Sequence, residues 1–350
     1  MPVAPPSPLA IVSSLLFLAL LGGIAAAWVW AFRRLRRGQP LLPQAPLIIV
    51  PWGPRTVVAV LLLRLGLEMV LVPQFMPQER PKGFQLSPFQ QLLLVAEINA
   101  GLLLLVPPLL RITSGARLRD LGLTRADLGR NLLRGFVTCL LLLPVVYPIM
   151  FAVSLIWKPQ GHPLAEMVRD DPSGRVALLA VVSGVFLAPA TEELLFRAIL
   201  QGWLTRLFHW PRGREPATAR DIPTPPEVVP LSEPPPPADY APTDGSVWVA
   251  PKAPLGTPEG AGSPLAGGPL DPRPSMIPNL LTSLLFAAVH FAQWPAPIPL
   301  FLLALGLGYL YQRTGSLVAP IAMHASFNGI STAALFLGVL LGGNPPAPGG

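Results

Sequence analysis

Long apolar stretches separated by short polar segments run along most of the chain. Eight stretches are long enough to predict helices: approximately 9–32, 56–75, 90–110, 132–156, 176–208, 277–293, 297–312 and 317–341. The predicted fold is all-α, a polytopic transmembrane helical bundle of about eight spans. The first stretch differs from a cleavable leader. Its apolar run exceeds the roughly 7–15 residues of one, and no basic residue precedes it, so it reads as a retained anchor. The sixth and seventh stretches are short, with Pro295, Pro297 and Pro299 at their junction.

The polar segments carry orientation. Arg33, Arg34, Arg36 and Arg37 follow the first stretch, and Arg111, Arg117, Arg119, Arg125 and Arg130 lie between the third and fourth. Arg206, Arg212 and Arg214 follow the fifth, and Arg313 follows the seventh. With eight spans these segments share one side, which the bias of basic residues assigns to the cytoplasm, leaving both termini opposite. Residues 118–129 have the spacing of a short amphipathic helix at that interface. The expected location is an integral, multi-pass position in the cell inner or plasma membrane.

Composition sharpens this reading. Mean hydropathy is +0.53 and only 12% of residues are charged, against roughly 25% in an ordinary soluble domain. The net charge of +7 raises nucleic acid as a partner. The arginines flank apolar runs, however, and form no long basic face, so no nucleic-acid partner is expected. One cysteine, Cys139, excludes an intramolecular disulfide framework and a multi-cysteine metal site. Residues 211–275 hold 18 of the 47 prolines, Pro234 to Pro237 among them. Such a segment predicts disorder or partial polyproline II and offers a surface for a protein partner, without a catalytic role.

Chemistry enters through charges inside apolar runs. Glu192 and Glu193 lie in the fifth stretch, where an ionised carboxylate costs about 2.5–3.5 kcal/mol on insertion scales. Glu193 and Arg197 share a helical face at i,i+4 and can neutralise each other; Glu192 lies on another azimuth, free for a cavity. As an unpaired carboxylate, Glu192 is the better base. Phe286 with His290, and His324 with Asn328, repeat the i,i+4 spacing in the sixth and eighth stretches. A lone intramembrane histidine is often an interhelical hydrogen bonder. Two, with a free glutamate and a carboxamide, can activate water and hold an oxyanion. Smaller features read structurally: an internal Arg64–Glu68 pair, Glu97 and Asn99 as interhelical glue, and close packing at Ala304, Gly306 and Gly308. Pro189 predicts a weakened helix beside the carboxylates.

These three elements, Glu-Glu-x-x-x-Arg, Phe-x-x-x-His and His-x-x-x-Asn, resemble the signature of the CAAX-prenyl-protease and bacteriocin-processing (CPBP, or Abi) intramembrane proteases. The resemblance covers about 118–341. It implies variable transmembrane helices over 1–115 and a protease core over 116–341, interrupted by the proline-rich 211–275. It implies a helical bundle with a buried hydrophilic cavity. It also implies that Glu192 activates water with His290 assisting, that His324 and Asn328 hold the oxyanion, that Glu193 and Arg197 support them, and that Phe286 packs beside the first histidine. The expected reaction is peptide hydrolysis on prenylated or other membrane-associated C-terminal or leader peptides. Glu192, His290 and His324 also form a chemically legitimate zinc set, although the His-Glu-x-x-His helix is absent; a site working without metal is slightly preferred. Membrane lipid and a peptide or protein substrate are the expected partners. Buried glutamate, histidine and arginine also mark proton-coupled transporters, but the chain shows no pair of similar halves. A catalytically silent immunity or scaffold protein is the remaining alternative.

Overall fold

The computed structural model describes residues 7–42, 44–45, 49–79, 81, 83–125, 127–157, 163–209 and 275–341. The proline-rich segment expected over 211–275 lies outside the described residues except for Ser275. All eight predicted stretches are helical: α1 (Pro8–Arg36), α2 (Pro54–Leu71), α3 (Pro88–Ser114), α4 (Leu128–Ile156), a composite rod over 174–209, α9 (Ile277–Val289), α10 (Pro297–Thr314) and α11 (Val318–Leu341). A short α5 (Pro163–Asp170) precedes the rod. No strand occurs among the described residues.

Among the described residues six helices are long and apolar enough to cross a membrane, so the count of about eight is approximate. The other two are α9, with 13 residues, and α10, whose last turns carry Tyr309, Tyr311, Gln312 and Arg313. Local chemistry explains several boundaries. Ser7, Ser87 and Ser173 accept backbone N–H bonds as N-caps, and Ser87 and Gln90 complete a capping box. Proline opens α1, α2, α3 and α10, where its missing N–H costs nothing.

The bundle closes tightly where α4 meets α11. A Cβ at Gly135 would run into the Ala319 carbonyl, the Ala322 methyl and the Met323 nitrogen, so the backbones approach as closely as small residues allow. The sequence expectation for Gly306 and Gly308 is met as well. A Cβ at the first would meet Leu142, and at the second Asn279 and Gln201.

The rod is the element that positions the site. It runs as α6 (Gly174–Val181), a π-helical segment (Val182–Leu187), α7 (Ala188–Glu193), a second π-helical segment (Leu194–Gln201) and α8 (Gly202–His209). The ladder thus widens just before Pro189, where a weakened helix was expected. The Ala188 N–H reaches the Ser183 carbonyl, five residues back. Continuing that register would pair residue 189 with Gly184, but proline has no N–H. Asn328 of α11 supplies the donor instead, Nδ2 to the Gly184 carbonyl at 2.9 Å. In the second widened segment the Trp52 indole donates to the Ile199 carbonyl at 3.1 Å. Between the two, Thr191 donates its hydroxyl to the Asn99 carbonyl of α3 at 3.3 Å. Three side chains thus pin the rod at three heights.

Residues 118–129 depart from the predicted amphipathic helix. Only one 3₁₀ turn forms, Leu118–Leu121, because Gly122 takes a left-handed φ of 75° and ends it. The Gly122 carbonyl then accepts the Leu317 N–H at 3.0 Å, docking the turn on the α10–α11 connection.

Basic helix ends gather at one end of the bundle. The Arg313 carbonyl accepts from the Ala45 N–H, Arg206 clamps the Pro51 and Trp52 carbonyls at 2.8 and 3.1 Å, and Gln312 donates to the Ser275 carbonyl.

Candidate functional site

Three helical elements, the rod, α9 and α11, bring the three motif elements together. Glu193 and Arg197, one turn apart on the rod, form a pair at 3.0 Å with both side chains 0% exposed. The other Glu193 oxygen meets His324 Nδ1 of α11 at 2.9 Å. Glu193 is thus fully engaged, as i,i+4 spacing predicted for its arginine partner; the histidine partner is additional.

Glu192 behaves differently. Its Oε2 lies 3.8 Å from His324 Nε2, and its side chain keeps 29% exposure while that of His324 has 4%. The same imidazole therefore faces a buried carboxylate through one nitrogen and an accessible carboxylate through the other. Glu192 also interacts electrostatically with His290.

Phe286 is the hub of the arrangement. Its ring centroid lies 4.8 Å from that of His290, 5.9 Å from that of His324 and 5.1 Å from that of Phe196. The Arg197 guanidinium carbon stands 5.5 Å from it. Arg197 Nη1 and Nη2 have no hydrogen-bond partner, so the ring face supplies a cation–π partner to those atoms. His290 caps α9, with Nδ1 at 2.7 Å from the Phe286 carbonyl. That bond holds the ring half-buried with Nε2 free of the helix. Asn328 is placed near the site, but one amide hydrogen is committed to Gly184; the second remains for other work.

Other expectations meet mixed outcomes. Arg64 and Glu68 do pair, at 2.9 Å, yet the side chains stay 46% and 34% exposed, so the pair is not internal. Asn99 is buried and tied to Thr191 through its backbone. Among the described residues no three His, Cys, Asp or Glu side chains converge to hold a metal ion. Glu192 and His324 form a pair, and His290 Nδ1 is taken by the Phe286 carbonyl; with no third donor joining the pair, the arrangement does not fit a resident zinc.

A polar stripe continues beyond the predicted residues. Glu193, Arg197 and Gln201 recur every four residues and are all fully buried. Gln201 donates to the Gly308 carbonyl at 3.1 Å. Nearby, Asn279 donates to the Leu305 carbonyl at 3.0 Å and accepts from Ser283 at 3.2 Å. The signal was the same i,i+4 spacing carried one step further: Gln201 after Arg197, and Asn279 and Ser283 on the helix of His290.

These features define a class: a polytopic membrane bundle with a carboxylate–guanidinium–imidazole cluster buried among its helices. Residues 267–330 match the family model described as Rce1-like, type II CAAX prenyl endopeptidase Rce1-like, in agreement with the CPBP resemblance. The matched segment contains Phe286, His290, His324 and Asn328, while Glu192, Glu193 and Arg197 precede it. The match supports an intramembrane endopeptidase in general, and with the six apolar helices it supports a membrane protein. No curated protein and no solved structure matches the chain.

Proposed function

We infer that the protein is an intramembrane endopeptidase of the CAAX-protease type, with Glu192 as the base that activates water. The observation that carries this reading is the asymmetry of the adjacent carboxylates. Glu193 is consumed by Arg197 and His324, while Glu192 is accessible and still touches the same imidazole. A structural ion pair accounts for the first carboxylate and gives no use for the second.

In this reading a water beside Glu192 and His290 loses a proton to the Glu192 carboxylate as its oxygen bonds to the scissile carbonyl carbon. The carbonyl π electrons move onto oxygen. His324 Nε2–H and the second Asn328 N–H hold that oxyanion. With Nδ1–H donated to Glu193, the ring that also donates Nε2–H is the imidazolium, whose positive charge faces the Glu193 carboxylate. Glu192 then delivers its proton to the leaving amine as the C–N bond breaks. The substrate class is a prenylated or otherwise membrane-associated C-terminal or leader peptide, which meets the buried site from the lipid.

The test uses the purified full-length chain in lipid nanodiscs with a farnesylated C-terminal peptide and its unprenylated counterpart. Cleavage by wild type and loss in Glu192→Gln, with unchanged thermal unfolding, is the expected result. Equal turnover by the variant removes Glu192 from the chemistry. Exhaustive chelation is expected to leave the rate within about twofold, since the donor set does not converge on a metal position.

A further inference from the structure

A recess sharing none of the site residues lies between α1, α4 and α10. Its volume is about 1040 Å³, at the upper limit of the roughly 300–1,000 Å³ of small-molecule sites. Ala27, Val137, Leu140 and Leu142 make its walls apolar. Arg34, Arg130, Arg134 and Arg313 line it from the basic end of the bundle.

The partners of these four cations decide the ligand. Arg130 pairs with Asp127 at 3.1 Å. The other three hydrogen-bond only to neutral oxygens among the described residues; the Trp30 and Tyr309 rings lie 5.5 and 5.8 Å from the Arg34 and Arg313 guanidinium carbons, and no carboxylate faces any of the three. Arg34 donates to the Pro40 carbonyl, Arg134 to the Asn131 side chain at 2.9 Å, and Arg313 to the Leu42 carbonyl and Gln44. Arg313 Nε is buried with no hydrogen-bond partner. The recess therefore joins a hydrocarbon-lined interior to a mouth whose charge is unbalanced.

A neutral lipid would fill the walls and leave the cations unmatched. Inorganic phosphate would match the cations and leave the walls empty. A molecule with an anionic head and hydrocarbon tails satisfies both, and basic pockets between transmembrane helices recognise such head groups. Orientation bias alone puts arginines at this end; it does not set them around an apolar recess, and Arg55, Arg111 and Arg119 at the same end lie outside it. We propose that this recess binds one anionic phospholipid from the leaflet that meets the basic end of the bundle. The binding is independent of peptide hydrolysis.

The experiment measures lipid retained by the intact protein in native mass spectrometry, after exposure to equimolar phosphatidylglycerol and phosphatidylcholine in mixed micelles. Wild type is expected to retain one phosphatidylglycerol in preference to phosphatidylcholine. Each arginine contributes about fivefold to anionic-lipid binding, so Arg34→Gln/Arg134→Gln/Arg313→Gln should lower retention by at least about tenfold. The equal-charge control Arg55→Gln/Arg111→Gln/Arg119→Gln should change it by less than about twofold. Ala26→Trp, which narrows the recess without touching a charge, should also lower it, and carries the test alone if the triple variant fails to fold. Equal loss in both triple variants, equal retention of the two lipids, or displacement of the lipid by inorganic phosphate would each overturn the proposal.

Discussion

The proposed reaction centre and the α1–α4–α10 recess both hold arginine in apolar surroundings, and they differ in what balances the charge. Arg197 is fully buried and answered by Glu193, by His324 beyond it and by the Phe286 ring. Arg34, Arg134 and Arg313 are answered by carbonyls and amides, with the Trp30 and Tyr309 rings beside the first and last, and by no carboxylate among the described residues. A charge with no water around it must be neutralised by the fold itself, so the centre is electrically complete before any substrate arrives. Charges at a membrane end can wait for an external anion. On the readings proposed above, one region serves chemistry and the other recognition.

The largest test of this contrast lies within the centre. Glu192 contributes no bond to the buried pair, so Glu192→Gln should leave the unfolding temperature within about 1 °C and lower kcat/KM by roughly 10²- to 10⁴-fold, the usual span of general-base catalysis. Unfolding followed by intrinsic tryptophan fluorescence, beside turnover of the farnesylated peptide, separates the two readouts. A loss of stability comparable to the loss of rate would make Glu192 a packing residue.

Next comes Arg197→Met. The variant keeps length and removes charge, leaving Glu193 buried against His324 alone. Breaking a buried pair from one side costs about 3–5 kcal/mol, so the variant should be recovered in low yield and unfold at much lower temperature. Arg197→Lys restores the charge without the planar fork and should recover only part of the loss. Normal stability in Arg197→Met would mean that the centre is not self-balanced.

Asn328 lies between these cases. Removal of one oxyanion donor costs about 10²–10³ in kcat, while loss of an interhelical hydrogen bond in a membrane costs about 0.6–1.7 kcal/mol. Asn328→Ala should show both, the first in turnover and the second in thermal unfolding. A stability change alone would assign Asn328 wholly to the Gly184 carbonyl, which Pro189 leaves without its donor.

The sequence made the spans and the central cluster legible for one physical reason: ionisable residues inside apolar runs are costly, and i,i+4 spacing tells which of them share a face. The Glu193–Arg197 pair and the groupings of Phe286 with His290 and His324 with Asn328 could be read that way. The widened turns could not. Nothing in the composition of 182–187 or 194–201 separates a π-helical register from an ordinary one, and Pro189 alone predicted a weakened helix. Trp52 was invisible as a support because its bond spans 147 residues; Asn99 was read as interhelical glue, and it is its backbone carbonyl that makes the link. The predicted helix over 118–129 failed because amphipathic spacing carries no information on Gly122 turning left-handed against Leu317. The recess was hidden for a related reason. Each of its arginines is explained locally as a flank of a span, and only the packing of α1 against α4 and α10 assembles them.

The smallest effect is the sharpest control on the comparison. Arg34→Gln removes a cation, as Arg197→Met does, but from the mouth of the recess, where its Nε bond to the Pro40 carbonyl at 3.2 Å is exposed. Without anionic lipid the change should stay within about 0.5 kcal/mol, as for surface substitutions away from special features. Added phosphatidylglycerol should then raise the unfolding temperature of wild type more than that of the variant, because a ligand that favours the folded state stabilises in proportion to its occupancy. Thermal unfolding in neutral detergent, with and without the lipid, reads both quantities on the same samples. A large loss in the lipid-free sample would place Arg34 with Arg197 as a structural cation. An equal lipid response in the two proteins would remove the distinction between a centre balanced from within and a recess balanced from outside.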